Sequence, residues 1–131
     1  MSPVLRWGAL AGLVVMLVDA VAMLITRDLP PDSETAMTIT TVDLAASVFM
    51  YALAGFRVGR ATGIARAGAE AGVIAGGLAG LAVATFTILL MPAEAGSANP
   101  VGVIALNVAL GGILGLFNGW LASRMPEPPR R

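Results

Sequence analysis

A single carboxylate, Asp19, interrupts the apolar stretch LVVMLVDAVAMLI at residues 13–25. A second carboxylate, Asp43, lies inside the next apolar segment, and an amide side chain, Asn107, lies inside the last one. Ionisable groups are costly within apolar segments, so they are candidates for binding or moving a proton or a cation. Such a role requires that the surrounding elements bring these three side chains together.

The composition indicates that most of the surface of this chain faces lipid. Of 131 residues, 57% are hydrophobic and 12% are charged, and the mean hydropathy is +0.85. A soluble domain carries about 25% charged residues. The absence of Cys and His excludes thiol chemistry and the usual zinc and haem ligands, and zero net charge argues against a nucleic-acid partner. We therefore expect no metal and no cofactor.

Four apolar segments are long enough to cross a bilayer as helices, which requires about 20 residues each. The turn-rich connections RDLPPDSET, RVGRATGIAR and PAEAGSANP separate them. Backbone groups at membrane depth must be paired within their own segment. The sequence thus predicts an all-α polytopic membrane protein, four transmembrane helices in an antiparallel bundle, as one domain over residues 1–131. The predicted spans cover residues 4–26, 36–56, 67–91 and 101–123.

The arginines predict the orientation of these spans. Seven of the eight lie at the start of the first span, in the central connection or after the last span, and only Arg27 lies on the other side. Basic residues accumulate in cytoplasmic loops, so we expect both termini in the cytoplasm. A cleaved signal peptide over residues 1–22 is an alternative, because Arg6 precedes an apolar stretch that ends in Ala-Val-Ala; continued apolarity to residue 25 favours a span.

Glycines recur at every fourth position in three of the spans. In lipid, small residues let helix backbones approach closely, whereas burying apolar surface gains little. We predict that these glycines mark packing faces, either within the chain or against a second copy. The predicted packing residues are Gly8, Gly12, Gly68, Gly72, Gly76, Gly80, Gly111, Gly115 and Gly119.

The three polar side chains share those packing faces. At 100° per residue, Asp19 lies on the side of its helix that carries Gly12, and Asn107 on the side that carries Gly111. Each of Asp19, Asp43 and Asn107 lies about seven residues from the outer end of its span, or about 10 Å deep. We predict that they form one polar layer.

Two roles are open for this layer. In the structural role, a protonated aspartate bonds to neighbouring Thr, Ser and Asn side chains and holds the helices together. In the functional role, two carboxylates share a proton or hold a cation during transport. In both, at least one of the two carries a proton at neutral pH, because burial and a neighbouring like charge disfavour ionisation.

The centre of the chain, ALAGFRVGRATGIARAGAEAGVIAGGLAG, resembles a group of uncharacterised small four-helix bacterial membrane proteins. In that group a turn containing Gly and Arg precedes a glycine-rich third span. The resemblance covers about residues 53–81 and implies a bacterial plasma membrane and a four-helix bundle, but no activity. An offset of 64 residues also aligns the two halves of the chain and sets Asp43 opposite Asn107, which suggests two repeated helical hairpins.

No catalytic motif is present in the sequence, and we do not expect an enzyme. The first functional hypothesis is a non-enzymatic packing, assembly or oligomeric subunit of the plasma membrane. Its partners would be the lipid bilayer and either a second copy or a larger membrane complex. The alternative is a small ion- or proton-coupled transporter that uses Asp19 and Asp43.

Overall fold

The computed structural model describes residues 1–90 and 99–126, which form four helices. These are α1 (Pro3–Thr26), α2 (Glu34–Thr62), α3 (Ala65–Leu90) and α4 (Pro100–Ser123). Each is long and apolar enough to cross a membrane. The predicted all-α, four-helix architecture is confirmed. The end of the third predicted span and most of the last connection, residues 91–98, lie outside the described part of the chain.

Local sequence determines where three of the helices begin. Ser2, Ser33 and Asn99 precede α1, α2 and α4, and each side-chain oxygen accepts a hydrogen bond from the backbone N–H three residues on, at 3.1 to 3.3 Å. Pro3 and Pro100 occupy the first position of their helices, where a backbone N–H has no partner within the helix. The free backbone N–H groups at the start of these helices are therefore capped, or removed by proline, by residues next to them in the sequence.

The helix α2 is longer than the predicted span. The apolar segment ends at residue 56, but the helix continues to Thr62, so that only Gly63 and Ile64 connect it to α3. Gly63 ends α2 in the left-handed conformation, φ 69°, which residues with a side chain rarely adopt. Arg57 and Arg60 are good helix formers, so the helix runs on past the apolar residues.

The order of the helices around the bundle follows from their contacts. Both α1 and α4 pack against α2 and α3, and α2 and α3 also touch each other across the centre. Within the described residues, α1 and α4 make no contact. A twofold axis relating the α1–α2 and α3–α4 hairpins would require the α1–α4 and α2–α3 contacts to match. The suggested repeat is therefore not arranged with twofold symmetry.

The glycines of α3 and α4 face each other along an antiparallel contact. Gly72 lies against Gly111, and Gly68 lies between Gly115 and Gly119. A Cβ atom added at Gly68 would lie 2.9 Å from the Gly119 Cα, closer than real Cβ contacts come. The two backbones can approach this closely only because both faces lack side chains.

The remaining predicted packing glycines also contact other helices of the same chain. Gly76 lies against the backbone of Asn107, and a Cβ at Gly80 would lie 2.8 Å from the Ile104 Cα. Gly8 and Gly12 of α1 pack on α3, where added Cβ atoms would lie 2.8 Å from the Ala71 oxygen and 2.9 Å from the Leu78 Cβ.

A second pair of glycines, on α2, was not among the predicted packing residues. Cβ atoms at Gly55 and Gly59 would lie 2.5 Å from the Cα atoms of Gly115 and Gly119. Their four-residue spacing crosses the predicted end of the span, which is why they did not stand out. Three helices meet here, and we call this cluster the glycine junction. Its members are Gly55, Gly59, Gly68, Gly115 and Gly119.

Arginines with specific partners lie near the glycine junction, at the end of the bundle where α1 and α3 begin. We call this the arginine-rich end. Arg57 stacks over the Trp7 ring at 5.3 Å from its centre, and Arg124 stacks over the Trp120 ring at 4.3 Å. Arg60 donates hydrogen bonds to two backbone carbonyl oxygens just beyond α4, those of Met125 at 2.7 Å and Pro126 at 2.6 Å.

Candidate functional site

Asp19 is buried on the packing face of α1. It continues the face formed by Gly8, Gly12 and Val15, the first two of which pack on α3, and it is 5% exposed. Neither a lipid chain nor water can reach most of this carboxyl group. A carboxylate at such a position needs a partner from another helix, because burying an unpaired charge is costly.

That partner is Asp43 of α2. The two carboxyl groups lie within hydrogen-bonding reach of each other. Asp43 is half-buried, and its Oδ1 atom is fully buried with no hydrogen-bond partner in the described part of the chain. We call Asp19 and Asp43 the carboxyl pair. A carboxyl–carboxyl contact lacks a hydrogen unless one group is protonated, so this geometry can hold one proton between the two acids.

The hydroxyl groups nearest in depth do not bond to the carboxyl pair. Serine and threonine within a helix often donate to the backbone carbonyl one turn earlier, and here they do so. The donors and acceptors are Thr40 to Ala36, Ser47 to Asp43, Thr85 to Leu81 and Thr87 to Val83, at 2.8 to 3.1 Å. The hydrogen bonds that the structural role requires are therefore not made by these side chains.

Asn107 bonds to a tyrosine and not to the carboxyl pair. The Tyr51 Oη donates to the Asn107 Oδ1 at 2.9 Å, and the Asn107 Nδ2 donates to the Val103 carbonyl oxygen at 3.1 Å. The backbones of α1 and α4 do not come into contact within the described residues, and Asn107 pairs with α2 instead of with Asp19. The predicted single polar layer is thus divided into two pairs, Asp19 with Asp43 and Tyr51 with Asn107.

Tyr51 is the polar residue that the sequence analysis did not single out. Its side chain is among the largest that are fully buried, at 1% exposed, and it lies near both members of the carboxyl pair. Asp43, Ser47 and Tyr51 follow each other at four-residue intervals on α2, and Tyr51 is the only tyrosine in the sequence. This spacing places all three side chains on one face of α2, and it could have identified Tyr51 as a polar neighbour of Asp43.

An apolar groove between α1 and α2 has Asp43 among its lining residues. It has a volume of about 380 Å³, and Asp43 is its one polar lining residue. It lies toward the end of the bundle where α1 ends and α2 begins, and we call it the outer groove. Its apolar walls are Leu17, Val18, Val21, Ala22 and Ile25 of α1 with Ile39 and Val42 of α2.

The site lacks the ligands of a typical metal centre. No group of three or more Asp, Glu, His or Cys side chains comes together within residues 1–90 and 99–126. Hard cations such as Ca²⁺ take about 6–8 oxygen ligands. Two carboxyl groups facing each other suit a proton better than a divalent metal ion.

Comparison of the chain with protein-family models, with curated proteins and with solved structures finds no match. The fold and the site define the class of the protein: a small all-helical bundle with four candidate membrane spans and a buried carboxyl pair.

Proposed function

We propose that this protein is a small plasma-membrane protein that binds a proton at Asp19 and Asp43 and couples that proton to transport. One observation carries the proposal. The two carboxyl groups face each other, and the Asp43 Oδ1 is buried without a partner within the described residues. A shared proton would convert two repelling acids into a hydrogen-bonded pair with a single negative charge.

The same geometry gives a reason for coupling. When the proton leaves, two negative charges remain at hydrogen-bonding distance in a low-dielectric environment. The described arginine closest to Asp19 along α1, Arg27, lies beyond the end of the helix and pairs with Asp28 at 3.0 Å, so it does not neutralise them. Separation of α1 from α2, or entry of a cation, relieves the repulsion. Proton loss would thereby change the outer groove, which the same two helices form.

The glycine contacts bear on the other hypothesis, an assembly subunit. Each glycine predicted to mark a packing face contacts another helix of its own chain. The ladders therefore do not supply a free face for a partner. Four helices are nonetheless few for a complete transport path, so we propose that the working form is a homo-oligomer or part of a larger membrane complex.

The arginine distribution supports an orientation with both termini in the cytoplasm of a bacterial plasma membrane. Among the described arginines, five lie at the arginine-rich end and one, Arg27, lies at the other. A single cysteine in place of Thr62 should resist an impermeant maleimide in intact cells, whereas one in place of Ser33 should react. The reverse pattern would overturn the orientation and leave proton binding untouched.

Proton binding is tested by infrared difference spectroscopy of the protein in lipid nanodiscs. Titration should show the C=O band of a protonated carboxylic acid that disappears as the pH rises. Asp19→Asn and Asp43→Asn should each change this band, since each removes one acid while keeping the side-chain shape. Asp28→Asn is the matched control, because its carboxyl group is 80% exposed in the connection after α1.

The substitution also tests whether proton binding can be removed without loss of stability. Asp19→Asn keeps most of the hydrogen-bonding capacity of the side chain but cannot release a proton. The variant should fold with an unchanged melting temperature and lose the titrating band. If neither Asp19→Asn nor Asp43→Asn altered the titration, the carboxyl pair would not be the proton site and the proposal would fail.

A further inference from the structure

We infer that Tyr51 is a positioning residue for the proton site, because its hydroxyl group donates to Asn107 while the carboxyl pair holds a proton and donates to the carboxyl pair once that proton has left. This role rests on the proposed function, since it concerns what stabilises the two acids after deprotonation. The Tyr51 hydroxyl lies near two kinds of acceptor, the amide oxygen of Asn107 on α4 and the acids of α1 and α2.

The deprotonated carboxyl pair needs a hydrogen-bond donor. Two carboxylates offer only acceptor oxygens, and the Asp43 Oδ1 is fully buried with no partner in the described residues. Burial of a charged oxygen without a donor is costly. The free energy of the deprotonated state therefore depends on which donor can reach these oxygens.

Charged side chains of the four helices do not supply this donor. Along α1 and α2 the arginines lie at the arginine-rich end, about 20 Å from the acids by the helix rise. The described part of α4 carries no charged side chain within the helix. The two charged residues of α3, Arg66 and Glu70, pair with each other at 3.3 Å near its start. Asp19, Asp43 and Tyr51 are thus the titratable groups that face one another here.

Tyr51 differs from the serine and threonine hydroxyls at this depth. Those hydroxyls donate to backbone carbonyl oxygens of their own helices, whereas Tyr51 donates across the bundle to the Asn107 Oδ1 at 2.9 Å. An amide oxygen is a neutral acceptor, and a hydrogen bond to a carboxylate is about twice as strong as one between neutral groups. A second negative charge on the carboxyl pair therefore favours donation to the acids over donation to Asn107.

The position of Tyr51 on α2 suits both bonds. It follows Asp43 by about two turns on the same helical face, and aromatic side chains in a helix lean toward the N-terminus of that helix. The side chain is 1% exposed and lies near Asp19 as well as Asp43. Its hydroxyl is therefore on the side of Tyr51 that faces the carboxyl pair.

The exchange of acceptors connects the proton to α4. While the proton is bound, the hydrogen bond from Tyr51 to Asn107 joins α2 to α4. When the carboxyl O–H bond breaks and the proton passes to solvent, Tyr51 keeps its own hydrogen and donates it to the carboxylates. Asn107 then loses its partner on α2, so proton loss weakens the link between α2 and α4 at this level of the bundle.

Infrared titration in nanodiscs tests this role with two variants that should shift the carboxylic acid band in opposite directions. Tyr51→Phe removes the donor from the deprotonated acids, so the band should persist to a pH about one to two units higher than in the wild type. Asn107→Leu removes the competing acceptor, so the band should disappear at a pH lower by about half a unit to one unit.

Two matched controls accompany these variants. Asn118→Leu makes the same change on α4 at a residue that donates within its own helix, to the Leu114 carbonyl oxygen at 2.9 Å. Ser47→Ala removes a hydroxyl from the face of α2 that carries Asp43 and Tyr51. Neither control should move the titration.

A second measurement leaves Tyr51 in place. Because it is the only tyrosine in the sequence, isotope-labelled tyrosine gives a single C–O stretching band. That band should change over the same pH interval as the carboxylic acid band, and it should stay constant in the double variant Asp19→Asn/Asp43→Asn.

The outcomes separate this role from the proposed function. Shifts of the same sign in Tyr51→Phe and Asn107→Leu, no shift in either, or a constant tyrosine band would overturn the role of Tyr51 while the carboxyl pair still titrates. A shift in Ser47→Ala as large as that in Tyr51→Phe would assign the donor to Ser47 and overturn it too. A carboxyl pair that does not titrate would refute the proposed function as well.

Discussion

The glycine junction and the outer groove show two opposite ways in which helices of this bundle meet. At the junction, three helices approach until an added Cβ at Gly55 would lie 2.5 Å from the Gly115 Cα. Toward the other end, α1 and α2 leave a space of about 380 Å³ with Asp43 among its lining residues. Both regions are built from apolar helices of similar length. The difference lies in the side chains at the contact, glycine in one and bulky aliphatic residues with a carboxyl pair in the other.

This comparison suggests a division of roles along the bundle. Where backbones touch, shape alone fixes the position of each helix, and a substitution is expected to act on folding. Where helices pack around the carboxyl pair, a substitution at either acid is expected to act on proton binding and leave the fold intact. The pair Tyr51 and Asn107 lies between these regions and links α2 to α4 by the hydrogen bond of 2.9 Å.

The largest effect is expected from adding a methyl group to a glycine contact. Gly76→Ala should destabilise the protein by at least about 1–3 kcal/mol, the usual cost of overpacking, because Gly76 lies against the Asn107 backbone. Gly77→Ala is the matched control on the next residue, where a Cβ meets only the Val108 Cγ2 at 3.9 Å. It should gain stability from the better helix propensity of alanine. Thermal unfolding in detergent measures the stability of both variants. Equal shifts in unfolding temperature would show that the close backbone contact at Gly76 does not determine the effect.

A smaller loss is expected at the link between the two regions. Tyr51→Phe removes the hydroxyl donor to the half-buried Asn107 Oδ1, which should cost about 0.5–1.5 kcal/mol, the net contribution of a typical hydrogen bond. In a double-mutant cycle with Asn107→Leu, the second substitution should cost less in the Tyr51→Phe background than alone. Additive losses in denaturant unfolding would show that the hydrogen bond does not couple α2 to α4.

Removal of both acids should leave stability almost unchanged or raise it. The double variant Asp19→Leu/Asp43→Leu replaces two buried polar groups with apolar side chains, a change that is often neutral or stabilising. Its unfolding temperature should equal or exceed that of the wild type while the carboxyl titration is lost. A marked drop would mean that the carboxyl pair holds α1 and α2 together, as in the structural role.

The smallest effect is expected at the arginine-rich end. Arg60→Ala removes the two hydrogen bonds to the Met125 and Pro126 carbonyl oxygens, but these contacts are exposed to solvent. The loss of stability should stay below about 1 kcal/mol, as for other exposed charged contacts. Proteolysis of the residues after α4 should speed up at the same time. A large drop in thermal stability would show that the two hydrogen bonds of Arg60 contribute substantially to the stability of the fold.

The sequence was sufficient to predict the helices because their formation depends on local properties. Apolar length, capping residues such as Ser33 and the breaker residues in the connections are read along the chain, and membrane-depth backbone must be helical. The glycine spacing likewise favoured one side of α1, α3 and α4 for packing, since a four-residue interval keeps one face. The end of α2 was missed because Arg57 and Arg60 were assigned to a connection, although charged residues can extend a helix beyond an apolar segment.

Only the tertiary structure decided which faces meet. Periodicity sets Asp19, Asp43 and Asn107 each on a packing face, but it does not state which of the other helices lies opposite. In the described residues α1 and α4 do not come into contact, and Asn107 accepts a hydrogen bond from Tyr51 of α2 instead of pairing with Asp19. The outer groove also depends on how the helices are arranged relative to one another. It arises from the distance between two helices, and that distance depends on every other contact in the bundle.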